Sequence, residues 1–153
     1  MELDWKAMHF KELSTEVLYK IFQLRIAVFC VEQNCPYQDV DGKDMDAFHV
    51  MGFDDENNLL AYARILPAGI AYKEISIGRV VSAAKVRRTG AGKLLMKKSL
   101  EFIQNKFGNL PVRISAQAYL QKFYEGFDFL VVSEPYLEDN IPHVEMLFTP
   151  KLK

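Results

Sequence analysis

Six consecutive residues, Arg87-Arg88-Thr89-Gly90-Ala91-Gly92, stand between an apolar run at 75–83 and a helix-like run at 94–107. Two glycines at this spacing let the backbone turn tightly with no Cβ in the way. Successive N–H groups can then converge on an anion, and the positive end of the following helix favours the same charge. The chemistry this offers is phosphate binding, with Arg87, Arg88 and Lys93 adding formal positive charge. Two well-known phosphate loops are excluded by the spacing. GxxxxGK[ST] fails because Leu94 follows Lys93 and Arg87 holds the earlier glycine position. GxGxxG fails because Leu95 stands where the third glycine belongs, and no acidic residue follows at the ribose-binding distance.

Other reactive side chains are sparse or poorly spaced. His9, His49 and His143 lack metal-ligand spacing, and no metal is expected. Cys30 and Cys35 are too few for a disulfide framework or a zinc site, and free thiols suit a reducing compartment. The segment Asp39-Val40-Asp41-Gly42-Lys43-Asp44 has the look of a calcium loop. Its glycine comes two places early, and Val50 holds the position of the bidentate glutamate. The net charge of -1 hides a segregation. Lys85, Arg87, Arg88, Lys93, Lys97 and Lys98 surround the glycine turn with no acid among them. Glu32, Asp39, Asp41, Asp44, Asp46, Asp54, Asp55 and Glu56 face Lys43 alone. The basic stretch suits a phosphorylated ligand. The acidic stretch suits a cationic amine, or is a set of solvated loop charges. Nucleic acid is not an expected partner, because the basic stretch is short and the aromatics follow core periodicity.

The turn resembles the R/Q-x-x-G-x-G/A pyrophosphate loop of the Gcn5-related N-acetyltransferases (GNAT), written here as Arg87-x-x-Gly90-x-Gly92. A second segment, from Ala116-Gln117-Ala118-Tyr119 through Phe123-Tyr124 to Asp128-Phe129, is similar to the next motif of that superfamily, with Asp128-Phe129 where Gly-Phe is usual. The run Gln23-Leu24-Arg25-x-x-Val28-Phe29-x-Val31-Glu32-Gln33-Asn34-Cys35-Pro36-Tyr37-x-Asp39-x-Asp41 resembles the ElaA-like branch, as do 61–66, 77–81 and 141–143. The resemblance implies acetyl-coenzyme A as co-substrate and a primary amine as acceptor. It places the cofactor on Arg87, Arg88, Thr89, Gly90, Ala91, Gly92 and Lys93, with Val80, Val81 and Gln117 along its arm. Tyr124 is then expected to protonate the departing thiolate, and a backbone N–H near Val81 to polarise the thioester oxygen.

An amine attacks only after losing a proton. Glu32, after the N-terminal helix, is the first candidate for the base and for acceptor binding. His143, His49 and Glu145 are further candidates for the base, unranked by the sequence, and His49 and His143 are candidates for acceptor binding as well. An acyl-coenzyme A sensor with little catalysis is the alternative function.

The elements must hold these residues in place. A strand near 2–10 precedes a helix over 14–30, with Ser14 or Thr15 as N-cap and Val17, Ile21, Leu24 and Val28 at helical spacing. Segment 34–45 reads as a loop. Runs 47–53 and 59–66 flank the polar turn 54–58 and predict a hairpin. A strand at 75–83, a helix ending at Gly108, a strand through Val112, Ile114 and Ala116, a helix over 119–126 and strands near 127–136 and 143–150 complete the order βαβββαβαββ. This is an α/β (α+β) pattern. The resemblance sharpens it to a mixed, mostly antiparallel sheet with helices on both faces and a splayed parallel strand pair at the cofactor site. A single domain over 1–153 is expected, monomeric or homodimeric. No apolar run reaches the ~20 residues that span a bilayer, and the basic start of a signal peptide is missing, so a cytoplasmic location is expected.

Overall fold

The computed structural model describes residues 2–151. Among the described residues eight strands form one sheet: β1 (Asp4–His9), β2 (Phe48–Phe53), β3 (Leu59–Leu66), β4 (Ile75–Ser82), β5 (Val112–Gln117), β6 (Phe129–Val131), β7 (Tyr136–Glu138) and β8 (Ile141–Phe148). Their spatial order is β1-β2-β3-β4-β5-β8-β6, with β7 also paired to β8. Every pairing is antiparallel except β4 with β5.

Three helices flank the sheet: α1 (Thr15–Ile26), α2 (Ala91–Phe107) and the short α3 (Gln121–Glu125). Alternation along the strands explains why α1 and α2 sit on opposite faces. Met51, Phe53 and Tyr62 pack with Ile21 and Leu24 of α1. The intervening Val50, Ala61, Ala63 and Ile65 pack with Leu95, Met96 and Ile103 of α2. β3, covered on both sides, is buried along its whole length. Leu95 and Met96 are wholly buried, so truncating either to alanine would cost about 2–5 kcal/mol.

The expected elements are largely present, with two informative differences. α1 starts as predicted, with Ser14 Oγ accepting the Val17 N–H at 3.1 Å. The helix does not run on in α form to residue 30. Residues Ala27–Glu32 widen into a π-helical turn, in which Gln33 N–H reaches Val28 O and Cys35 N–H reaches Cys30 O. The C-terminal strand expected over 127–136 is broken at 132–135, and β7 and β8 form a hairpin that the predicted order lacked. Its two-residue turn is Asp139-Asn140, both at positive φ (51° and 64°), as a tight hairpin turn requires. Asp128, standing where the family carries glycine, takes φ 70°, a conformation Asp tolerates better than most side chains.

Candidate active site

The parallel pair is joined only at Ile75–Val112 and Ser76–Arg113. Beyond that point β4 and β5 diverge, and the cause lies on the other edge of β4. Against β3 the register moves from Tyr62–Val81 to Arg64–Gly78, a bulge centred on Arg79, whose φ is 51°. A bulge bends and twists its strand, here away from β5. The backbone edges facing the wedge between β4 and β5 are therefore free to pair with an extended ligand. A cavity of about 680 Å³ fills it, lined among others by Val80, Val81, Gly92, Gln117, Tyr124, Glu138 and His143.

At one end of the cavity, Gly90 is the N-cap of α2 with φ 89° and no side-chain cap. A Cβ there would meet open space, so the backbone conformation is what requires glycine. Leu94 N–H is the first to bond back into the helix, to Gly90 O at 3.1 Å. The N–H groups of Ala91, Gly92 and Lys93 are left to an incoming acceptor, at the positive end of a 17-residue helix. A Cβ on Gly92 would touch Phe123 and Ser82 at 3.8 and 3.9 Å. Thr89 Oγ1 donates to Val86 O and closes the turn that delivers Arg88 (φ 65°) to the helix start.

Arg87 and Glu32, assigned separate tasks from the sequence, are found bonded to each other. Both guanidinium Nη atoms meet the Glu32 carboxylate at 2.9 and 2.7 Å, and Nε reaches Ser82 O at 3.2 Å. The Arg87 hydrogen bonds hold the Glu32 carboxyl below its ordinary range. While this pair is intact the carboxylate is a weak proton acceptor, so the role of base expected for Glu32 requires that Arg87 first turn to another anion. Arg87 is likewise committed to Glu32, so binding a pyrophosphate with it means exchanging one anion for another.

Tyr124 on α3 faces the same cavity and is 6% exposed. Its ring packs edge-on against Phe123 and Phe129. Burial, with a smaller contribution from Tyr119, pushes its phenol well above the ordinary range. It therefore keeps its proton until a strong base, such as a thiolate in contact, draws on it. Gln117, at the end of β5, donates to Gln33 Oε1 at 3.4 Å across the wedge.

A family model described as an acetyltransferase (GNAT) domain matches residues 23–150. Protein ElaA of Escherichia coli K12 is 45% identical over 94% of this chain and 95% of its own length. The crystal structure of an acyl-CoA N-acyltransferase from Pseudomonas aeruginosa superimposes with a TM-score of 0.92 at 43% identity, covering 97% of this chain and all of that one. The crystal structure of Escherichia coli ElaA superimposes at 0.89 and 44% identity, over 95% of this chain and 99% of that one. This chain belongs to the GNAT acetyltransferase family. The ElaA-like resemblance seen in the sequence thus extends over nearly the whole chain.

Two expectations for the acceptor side of this GNAT chain need correction. His49 is absent from the cavity lining. It is wholly buried, with Nε2 3.0 Å from Asp44 O and Nδ1 2.6 Å from the Tyr62 hydroxyl. Burial, aided by the Arg25 and Arg64 charges, lowers its pKa to about 4, so it is a neutral core histidine. The acidic stretch divides: Glu32, Asp46, Asp55 and Glu56 are exposed, as solvated loop charges would be, while its buried part is not an open amine site. Asp39, Asp41 and Asp44 are tied to Arg25, Arg64 and Arg79, with Arg25 reaching Asp39 at 2.9 Å and Asp44 at 2.6 Å, and Arg64 reaching Asp41 at 2.8 Å. Alternation hid these partners, because Arg25 lies on an apolar helix face and Arg64 inside an apolar strand. Among the described residues no group of three or more His, Cys, Asp or Glu side chains could hold a metal ion.

His143 does line the cavity, and around it, besides Glu145 and Gln117, stand Glu74, Arg113, Ser115, Tyr136 and Glu138, to which no role was assigned from the sequence. Ser115 Oγ contacts the Tyr136 hydroxyl and Glu138 Oε1 at 3.3 Å. His143 Nε2 lies 3.4 Å from Glu138 Oε2. Arg113 spans Glu74 and Glu145 beside them. The available signal was the complement of the apolar alternation. With Val112, Ile114 and Ala116 turned to α2, the residues Arg113, Ser115 and Gln117 share the other face.

Proposed function

We propose that this chain transfers an acetyl group from acetyl-coenzyme A to a primary amine by direct attack within a ternary complex. The observation that carries this reading is the wedge between β4 and β5, which runs past Tyr124 to an uncapped helix N-terminus, in a chain of the GNAT family. The free N–H groups of Ala91, Gly92 and Lys93, with the Arg88 and Lys93 side chains, would hold a pyrophosphate. Arg87 would join them once released from Glu32. The edge of β4 that faces away from β3, at Val80, with Gln117 opposite, would hold the amide-bearing arm by backbone hydrogen bonds.

Acetyl-coenzyme A supplies an activated thioester to this site. Val81, expected to supply the N–H that polarises the thioester, lies on the β3-paired edge of β4 opposite Tyr62. A backbone N–H on the other, wedge-facing edge of β4 is suited to stabilise the charge that develops on the carbonyl oxygen. The Tyr124 hydroxyl, kept protonated by burial, is suited to donate to the departing sulfur.

The test is release of free thiol and formation of acetylated product on incubating the protein with acetyl-coenzyme A and a panel of primary amines. Wild type is expected to turn over. Tyr124→Phe should bind acetyl-coenzyme A unchanged and lose about 10²- to 10⁴-fold in turnover, the usual range for a general acid. Tight binding of acetyl-coenzyme A with no transfer by wild type would point to a sensor.

A further inference from the structure

The hydrogens around His143 can be placed one at a time. A carbonyl oxygen only accepts, so the 2.6 Å contact between His143 Nδ1 and Ile141 O puts the hydrogen on Nδ1. In the neutral ring that leaves Nε2 with a bare lone pair. Nε2 faces Glu138 Oε2 at 3.4 Å, and an ionised carboxylate is also only an acceptor. The Ser115 hydroxyl serves the other carboxylate oxygen, while the Tyr136 hydroxyl is turned to Ser115. Two acceptors therefore oppose each other on the cavity wall with no hydrogen between them. One added proton completes the arrangement as imidazolium on carboxylate.

The surroundings favour a cation bringing that proton. Glu74 and Glu145 share Arg113, which bonds to both, and Lys73 adds its charge beside Glu74. Among the described residues Glu138 has no basic partner at ion-pair distance except His143. Tyr136 stacks on the imidazole with ring centroids 6.1 Å apart, and Gln117 is its partner across β5 and β8. Tyr72, whose phenol is raised by burial and then by the negative fields of Tyr136, Glu145 and Glu138, closes the outer side. Asp139, next along the hairpin turn, uses its carbonyl to accept from Cys35 Sγ.

We propose that Glu138 and His143 together are the proton acceptor for an alkyl ammonium substrate, with His143 Nε2 taking the proton and Glu138 holding the imidazolium. This role rests on the amine-transfer reading. The nitrogen–hydrogen bond of the ammonium breaks as the Nε2–hydrogen bond forms, and the freed lone pair takes the acyl carbon as the carbon–sulfur bond breaks. A second nitrogen proton ends on sulfur, and the first leaves to solvent from the imidazolium. Two protons leave the nitrogen, and the amide and thiol account for all other atoms. Glu138 acts through His143 and is a positioning residue.

The experiment pairs a titration with a rate profile. Nitrogen-15 shifts of labelled His143 are followed against pH in wild type and Glu138→Gln, with His143→Gln identifying the signal. Thiol release is then measured against pH with n-butylamine and 1,4-diaminobutane. The neutral ring should carry its hydrogen on Nδ1, and the protonation midpoint should fall in Glu138→Gln. The acid limb of kcat/KM should move by the same amount. His143→Gln should lose about 10²- to 10⁴-fold in turnover and keep acetyl-coenzyme A binding. A neutral ring protonated on Nε2, or an unmoved midpoint with amine turnover intact, would overturn the pair and leave amine transfer standing. The expected titration with no thiol release from either amine would overturn the transfer reading and the pair's part in it.

Discussion

His49 and His143 sit in two polar clusters of the same sheet, and the clusters differ in whether both ring nitrogens of the histidine have a complementary partner. Around His49, Nε2 donates to a carbonyl, Nδ1 accepts from Tyr62, and the neighbouring aspartates meet arginines in matched ion pairs. Around His143 the donors run out before the acceptors do. A buried histidine with both ring nitrogens bonded leaves nothing for a ligand to supply at the ring. The ion pairs around it, though Arg64 Nε and Arg79 Nε lack a hydrogen-bond partner, act to fix backbone. They clamp α1 and the loop before β2 onto β3 and β4, and so set the wall from which the π-helical turn enters the cavity. An incomplete network on a cavity wall has affinity for the missing hydrogen. Residue type alone does not separate the two, since both hold histidine, tyrosine and carboxylate.

The sharpest way to break this contrast is to remove one acid from each cluster. Asp44→Ala removes one of the two carboxylates held by each of the buried guanidinium groups of Arg25 and Arg64 and should cost about 3 kcal/mol of stability, the lower end of the range for breaking a buried pair. Glu138→Gln should leave the urea midpoint nearly unchanged. Equal losses would erase the distinction.

An effect no larger is expected from acid. The pKa of folded His49 is about 4, below the ~6.5 of an unfolded histidine. Below pH ~6.5 the unfolded chain binds a proton that the folded chain refuses. The His49 contribution is thus complete above pH 6.5 and declines as pH falls to 4, by up to about 3 kcal/mol. Urea unfolding of wild type and His49→Gln across that window should give the shallower pH dependence in the variant. Parallel curves would mean that His49 takes up a proton in the folded state as readily as in the unfolded one.

Smallest is the effect of Glu32→Gln. Its pair with Arg87 is half-exposed, so no measurable change in unfolding midpoint is expected. Acetyl-coenzyme A should bind about two- to fivefold tighter once Arg87 is free, the scale of a surface ion pair. Weaker binding would show that Glu32 assists the cofactor site.

The fold was legible where hydrophobic period and turn chemistry agree, as in the capped start of α1, the 54–58 turn and the Gly108 end of α2. It was less legible where the signal is conformational. No residue type announces a π-helical turn in Ala27–Glu32, and the break before β7 is read only once Asp139-Asn140 is taken as a hairpin turn. The glycine loop was legible because both its glycines and its charges carry physical meaning. The acceptor side was not, for a geometric reason. Ion pairs such as Arg25–Asp39 and Arg87–Glu32 join residues far apart in sequence, and only the fold decides whether a carboxylate meets an arginine, a histidine or water.

The most direct test of the cofactor site is thermal unfolding with and without acetyl-coenzyme A in wild type and Gly92→Glu. Gly92 is not among the glycines at positive φ, and a Cβ there makes only ordinary contacts, so the backbone tolerates the change while a carboxylate enters the anion site. Ligand at about 100 times its dissociation constant adds roughly 2.7 kcal/mol, which is several degrees in a domain of this size. A rise in wild type that is lost in a folded Gly92→Glu would place the cofactor at the start of α2, as proposed. No rise in wild type, or an equal rise in both, would contradict it.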